Sequence, residues 1–130
     1  MKQETPEERS TRILNMLKVK YPGKEAFDLD GRGLHFVCEV EPVIDHPDYD
    51  RAIEVIIQSK PHKHLKMTQY YTVISGNMEL HIGDKTIHLH PGDKYTIAPG
   101  SVHWAISNDE CLVELYSEPG WTKEDHIVVE

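Results

Sequence analysis

The chain has 130 residues, a length that fits one domain and hardly two. Hydrophobic residues make up 38% and charged residues 28%, which supplies a core and excludes a low-complexity or natively unfolded segment. Lys plus Arg number 14 against 22 Asp plus Glu, so the formal charge of −8 repels nucleic-acid phosphates and anionic lipid headgroups, and neither is an expected partner.

The opening residues, Met1 to Glu8, contain no apolar stretch, and no run approaches the ~18 apolar residues of a membrane span. Cys38 and Cys111 make no disulfide framework and are expected as half-buried thiols, which places the protein in the cytoplasm. Thr5-Pro6-Glu7-Glu8 reads as a capping box, with Thr5 as N-cap, Pro6 at the first helical position and Glu8 reaching back. Ile13, Leu14, Met16 and Leu17 continue as an apolar stripe at helical spacing until Pro22-Gly23 ends it. One short amphipathic helix results, with a packing role.

From His35 the texture changes to short β-type runs: 34–40, 52–58, 70–74, 77–82, 85–89, 94–98, 103–107 and 112–116. Turn clusters separate them, among them Ser75-Gly76-Asn77, Pro91-Gly92-Asp93, Pro99-Gly100-Ser101 and Asn108-Asp109-Glu110. Many short strands at near-even spacing predict an all-β sandwich or barrel, which also removes the exposed edges that so many strands would create. The expected division is a helix and lead-in over 1–34 and a β barrel over 35–130, in one domain.

Nine histidines stand out. His62 and His64 lie two apart, so on a strand their imidazoles share a face, a suitable start for a transition-metal site. His88 and His90 have the same spacing, so spacing alone does not choose between the pairs. The surroundings do. After His64 come four residues and then Gln69, then six residues and Gly76; later, Gly92-Asp93 opens a run that reaches Ala98-Pro99-Gly100-Ser101-Val102-His103, with Asn108 beyond.

This order resembles the two-part signature of the cupin superfamily, over residues 35–126. The first motif is H-x-H, three or four residues, Glu, six residues and Gly; the second is a Gly, a short strand, P-x-G-x-x-H and a nearby Asn. The resemblance implies a double-stranded β-helix, the jelly-roll barrel, with a short N-terminal helix. It also implies one divalent transition metal (Zn, Ni, Fe, Mn or Co) held by His62, His64, Gln69 and His103. Gln69 replaces the usual Glu, Ala98 the first Pro of the second motif, and Asn108 lies one residue late. A neutral amide oxygen leaves more of the metal's charge unneutralised, lowering affinity while making a stronger Lewis acid; the alternative is a cupin that has lost its metal. The resemblance places no ligands at His88 and His90, and these, like His46 and His126, are read as surface or structural.

The segments Lys94 to Pro99, Val113 to Ser117 and Glu124 to Val128 are similar to small cupin sugar isomerases, and Leu112 to Pro119 to uronate-linearising cupins. That similarity implies metal-assisted proton transfer on a small molecule, a sugar or sugar acid, in a homodimer. Alternation in 112–116 puts Leu112, Glu114 and Tyr116 on one face and Cys111, Val113 and Leu115 on the other. The mixed set is expected to face the pocket, with Glu114 as general acid/base; the alternative is that it faces bulk water. Tyr71, in phase with Gln69, and Lys60 are candidates for holding hydroxyls or a carboxylate. A cupin dioxygenase or decarboxylase and a non-catalytic ligand-binding cupin are the alternatives in function.

Overall fold

The structure is a computed structural model that describes residues 3–129. Residues 1, 2 and 130, the outermost of the two expected segments, lie outside the described residues. Helix α1 spans Pro6–Lys20, with the capping box formed at both hydrogen bonds: Glu8 N–H donates to Thr5 Oγ1 at 3.1 Å, and Thr5 N–H to Glu8 Oε1 at 3.0 Å. Ten strands follow: β1 Glu25–Asp28, β2 His35–Glu41, β3 Asp50–Gln58, β4 His62–Lys63, β5 Thr68–Ser75, β6 Met78–Ile82, β7 Lys85–Leu89, β8 Lys94–Ile97, β9 His103–Glu118 and β10 Ile127–Val128. A short 3-10 turn at Lys123–Asp125 precedes β10. The architecture is therefore a curled, mostly β structure with one short helix, as the sequence predicts.

All pairings are antiparallel. One path runs β1-β2-β3-β9-β4-β10, while β9 also pairs with β5 and β6. Three elements escape the sequence reading: β1, β4 and β10 have two to four residues each, too short to show a period. A fourth difference concerns Asn108-Asp109-Glu110, expected as a turn between two strands. The structure has one strand, β9, running through it. Partners Ile56↔Cys111 and Gln58↔Ile106 show five residues of β9 opposing two of β3, so the turn residues form a bulge. The Asp109 carboxylate holds that bulge by accepting the Ser107 hydroxyl at 2.7 Å. Gly76 lies beside it at φ +77, where an added Cβ would stand 3.0 Å from the Cys111 Cα. This accounts for a glycine at the end of the first motif.

Strand alternation sorts the side chains into two apolar layers. Cys111, Val113 and Leu115 of β9 meet Ile56, Tyr71, Val73 and Leu80 inside the curl. On the outer face, Phe36, Cys38, Ile53, Val55 and Leu112 are covered by Ile13 and Leu17 of α1, both fully buried. The helix thus closes the back of the β2-β3-β9 sheet and leaves the inner face free for a site. Cys38 and Cys111 are both free and buried, one in each layer.

Leu17→Ala removes a fully buried side chain beneath the helix, and a loss of about 2–5 kcal/mol is expected in urea unfolding. Val19→Ala, at an exposed position on the same helix, should change stability by no more than about 0.5 kcal/mol. Equal losses in the two variants would contradict this packing.

Candidate metal centre and cavity

His62 and His64 come from β4 and the residue after it, and His103 from the start of β9, where it pairs with His62 in register. All three are buried, and one ring nitrogen from each lies within 4.8 Å of the others. Backbone carbonyls decide which nitrogen that is. His62 Nδ1 meets the Lys60 carbonyl at 2.7 Å, His64 Nδ1 that of Asp125 at 2.8 Å, and His103 Nδ1 that of Ser101 at 3.0 Å. A carbonyl oxygen only accepts, so each Nδ1 carries the proton and each Nε2 keeps a lone pair. His64 Nε2 and His103 Nε2 are buried with no hydrogen-bond partner, and so is Oε1 of Gln69, itself 5% exposed. Unpartnered buried acceptors are costly, and a divalent cation satisfies them together. The residues present therefore fit a metal, with three neutral imidazoles and a neutral amide oxygen as the available donors.

Burial keeps the imidazoles neutral. It lowers His62 from 6.5 to about 4 and His103 to about 3, and it also lowers His64; the neighbouring imidazoles add to the effect. The frame around them is tied from both ends of the chain. Gly100 N–H, in the turn before His103, donates to the His64 carbonyl at 2.6 Å. The buried Asp125 carboxylate accepts from the backbone N–H groups of Leu65, Lys66 and Met67, holding the turn after His64. β10 then pairs with β4.

A cavity opens from this centre between the β2-β3 sheet and β5. Its walls hold two expected residues beyond the histidines, Gln69 and Tyr71, which share a face of β5. Tyr71 is 4% exposed, and burial raises its phenol well above the ordinary value, so the hydroxyl stays protonated. Two further expectations are corrected. Glu114 points away from the cavity: Leu115 and Ser117 line it, whereas Glu114 lies between Leu112 and Tyr116 on the outer face. The apolar set fills the interior because the inside of the curl is itself a core, with polar groups only at its open end. Lys60 is exposed and lines no part of the cavity; its contribution is the carbonyl that orients His62.

Other residues take the places that those two vacate. His35 of β2 and Glu54 of β3 line the cavity and hydrogen-bond to each other, Nε2 to Oε1 at 2.5 Å. His126, expected as a surface or structural residue, is half-buried in the wall, its ring stacked on His62 at 4.6 Å between centroids. Trp121 Nε1–H donates to His126 Nδ1 at 3.4 Å, so in the neutral imidazole the proton is on Nε2, the reverse of the three converging histidines. The sequence signal for the first pair lies in strand parity: His35 and Glu39 on β2, and Asp50 and Glu54 on β3, are polar residues at the inward positions of two strands rich in apolar residues. For His126 the sequence carries no signal beyond its type. His88 and His90 are exposed, as expected.

The buried histidines set a pH dependence for the metal-free protein. Below about 6.5 the unfolded chain takes up protons that the folded chain accepts only near 4 at His62 and near 3 at His103. Their contribution to stability is whole above that range and is lost as pH falls from 6.5 toward 4. Urea midpoints should therefore drop between about pH 7.5 and about pH 5, and the drop should shrink in the double variant His62→Gln, His103→Gln. Identical midpoints in the wild type at the two pH values would contradict the burial of neutral imidazoles.

Comparison with known proteins agrees with this geometry. No curated protein matches the sequence. The family model described as "Cupin domain" matches residues 55–117. Among solved structures, Pac13 of Streptomyces with uridine superposes with a TM-score of 0.73 at 14% identity, over 85% of this chain and 88% of that one. KdgF from Halomonas sp. gives 0.65 at 20% identity, over 78% and 91%. Oxalate decarboxylase from Bacillus subtilis gives 0.72 at 13% identity, over 84% of this chain and 31% of that one. A matched family model, a shared fold and a converging histidine triad carried by the two motifs lead to one conclusion: residues 55–117 match a cupin domain, and the chain has the cupin fold.

Proposed function

We propose that the cavity is the active site of a metal-dependent enzyme that moves a proton on a small sugar or sugar acid, in the manner of an isomerase or epimerase. The observation that carries this reading is the unpartnered set of His64 Nε2, His103 Nε2 and Gln69 Oε1, of which His64 and Gln69 line a cavity together with a hydrogen-bonded carboxyl and imidazole, Glu54 and His35. His62, His64, Gln69 and His103 would hold one divalent ion. When bound, such an ion supplies Lewis-acid polarisation of a carbonyl oxygen. The chain's own residues account for the remainder. Glu54 accepts the proton from the carbon beside that carbonyl and returns it to the same or the adjacent carbon, and His35 fixes the carboxylate's orientation. Tyr71, kept protonated by burial, donates a hydrogen bond to a substrate oxygen. His126 presents Nε2–H as a second donor. The similarity to sugar isomerases and uronate-linearising cupins supports the reaction type. Pac13, a nucleoside dehydratase, supports a small hydroxylated substrate.

Elemental analysis of protein purified without chelator should find a divalent transition metal in the wild type and in His88→Ala, and none in His62→Ala. Gln69→Glu should retain it more tightly, because a charged ligand replaces a neutral one. Equal metal content in His62→Ala and His88→Ala would refute the centre.

Proton transfer is read by NMR in D₂O, screening aldoses, ketoses and uronates for deuterium entering beside the carbonyl. Glu54→Gln should slow that exchange about 10²–10⁴-fold with the metal retained, the range of a general acid/base. Glu114→Gln, on the opposite face, should leave it nearly unchanged. Exchange lost in Glu114→Gln and kept in Glu54→Gln would reverse the assignment. Tight binding without exchange would mark a ligand-binding cupin instead.

A further inference from the structure

The wall opposite the histidines has a charge pattern that selects among substrates. Glu39 on β2 stands directly across from Ala52, and Asp50 and Glu54 lie on either side of Ala52 on the same face of β3. All three carboxyls line the cavity, and among the described residues no Lys or Arg does. Asp50 is engaged by Trp121 N–H at 3.0 Å and Glu54 by His35, but Glu39 Oε2 is buried without a partner. Burial, together with Asp50, Glu54 and Glu25, raises the Glu39 carboxyl to about 7, and burial also raises Asp50. The crowding of like charges is thus felt even without a ligand. At the other end of the same cavity, His64 Nε2 and Gln69 Oε1, on side chains 3% and 5% exposed, also lack partners. The cavity offers acceptors at one end and ligands for a cation at the other.

Recognition of a carboxylate or phosphate ordinarily rests on an Arg or Lys side chain or on a helix N-terminus. Away from the cation at its histidine end this cavity has neither, since no Lys or Arg lines it among the described residues and α1 covers the outer face of the sheet. An anionic group brought against this cluster of three carboxyl groups, already crowded by like charge, meets further repulsion in a partly desolvated space. A hydroxyl or an ammonium group, by contrast, donates the hydrogen that Glu39 Oε2 lacks. Resting on the reading of this cavity as a metal-dependent substrate site, we propose that its ligand is a polyhydroxy compound bearing no anionic group. It turns oxygen lone pairs to the histidine end and hydroxyl or ammonium donors to Glu39, Asp50 and Glu54. Of the two substrate types above, the sugar is retained and the sugar acid is rejected.

The test is isothermal titration of the zinc-loaded protein with glucose, glucosamine and glucuronate, which share a ring skeleton and differ in charge. Glucose or glucosamine should bind about tenfold or more tightly than glucuronate, and the ratio between the first two separates hydroxyl from ammonium recognition. Glu39→Gln and, separately, Asp50→Asn, both near-isosteric and checked for folding by circular dichroism, should each narrow the gap to glucuronate several-fold. Glucuronate binding as tightly as glucose would overturn the proposal. So would a gap unchanged in both folded variants, or binding of none of the three. Zinc content of the same samples is measured separately. Full zinc with the wrong selectivity overturns the charge argument alone, whereas absent zinc overturns the site reading on which it rests.

Discussion

Strand β9 is the constraint on which the rest of the structure depends. It hydrogen-bonds to β3, β4, β5 and β6, and no other strand has more than two partners. Its first residues bring His103 into register with His62, and its last lie against β3 and β5, so that Leu115 and Ser117 line the cavity. The bulge at 107–110 lets one strand serve both places. It absorbs the register difference between the two neighbourhoods while leaving the odd-numbered side chains inward on both sides. Without the bulge, β9 could not keep both of its present registers against β3.

The histidine cluster is oriented by backbone more than by side-chain networks. Three carbonyls, of Lys60, Ser101 and Asp125, fix three imidazole tautomers, and two of those carbonyls lie two residues before the histidine they orient. Local chain geometry therefore prepares His62 and His103. His64 depends on a residue 61 positions away, whose own carboxylate also holds the turn after His64. The C-terminal segment is thus part of the centre, through Asp125, through His126 stacked on His62, and through the β10–β4 pair. Burial does the remaining work by keeping the imidazoles neutral, the form in which they bind a cation.

The cavity is polarised by the same strand pairings. Neutral donors converge on one side and carboxylates on the other, because β4 and β9 supply the first and β2 and β3 the second. Apolar side chains fill the curl between them and below, where Tyr71 joins the inner core. The arrangement separates an imidazole and amide end from a carboxyl end.

Much of this was legible in the residues. Periodicity announced the helix and eight of the β-type runs, because side chains that alternate between core and exterior leave that record in the sequence. The two spaced motifs marked His62, His64, Gln69 and His103, because each belongs to a short stretch whose local geometry is encoded within it. What the sequence left open was the phase of one strand relative to the others. In 111–117 both alternating sets are compatible with an inward face, and only the packing of Leu112 beneath α1 turns Glu114 outward. Likewise Glu54, His35 and His126 are ordinary residues in sequence, and become a group only when β2, β3 and the C-terminal segment are brought to one cavity. Local chemistry is written along the chain; which distant side chains share a face is decided by strand order and register, and those exist only in the fold.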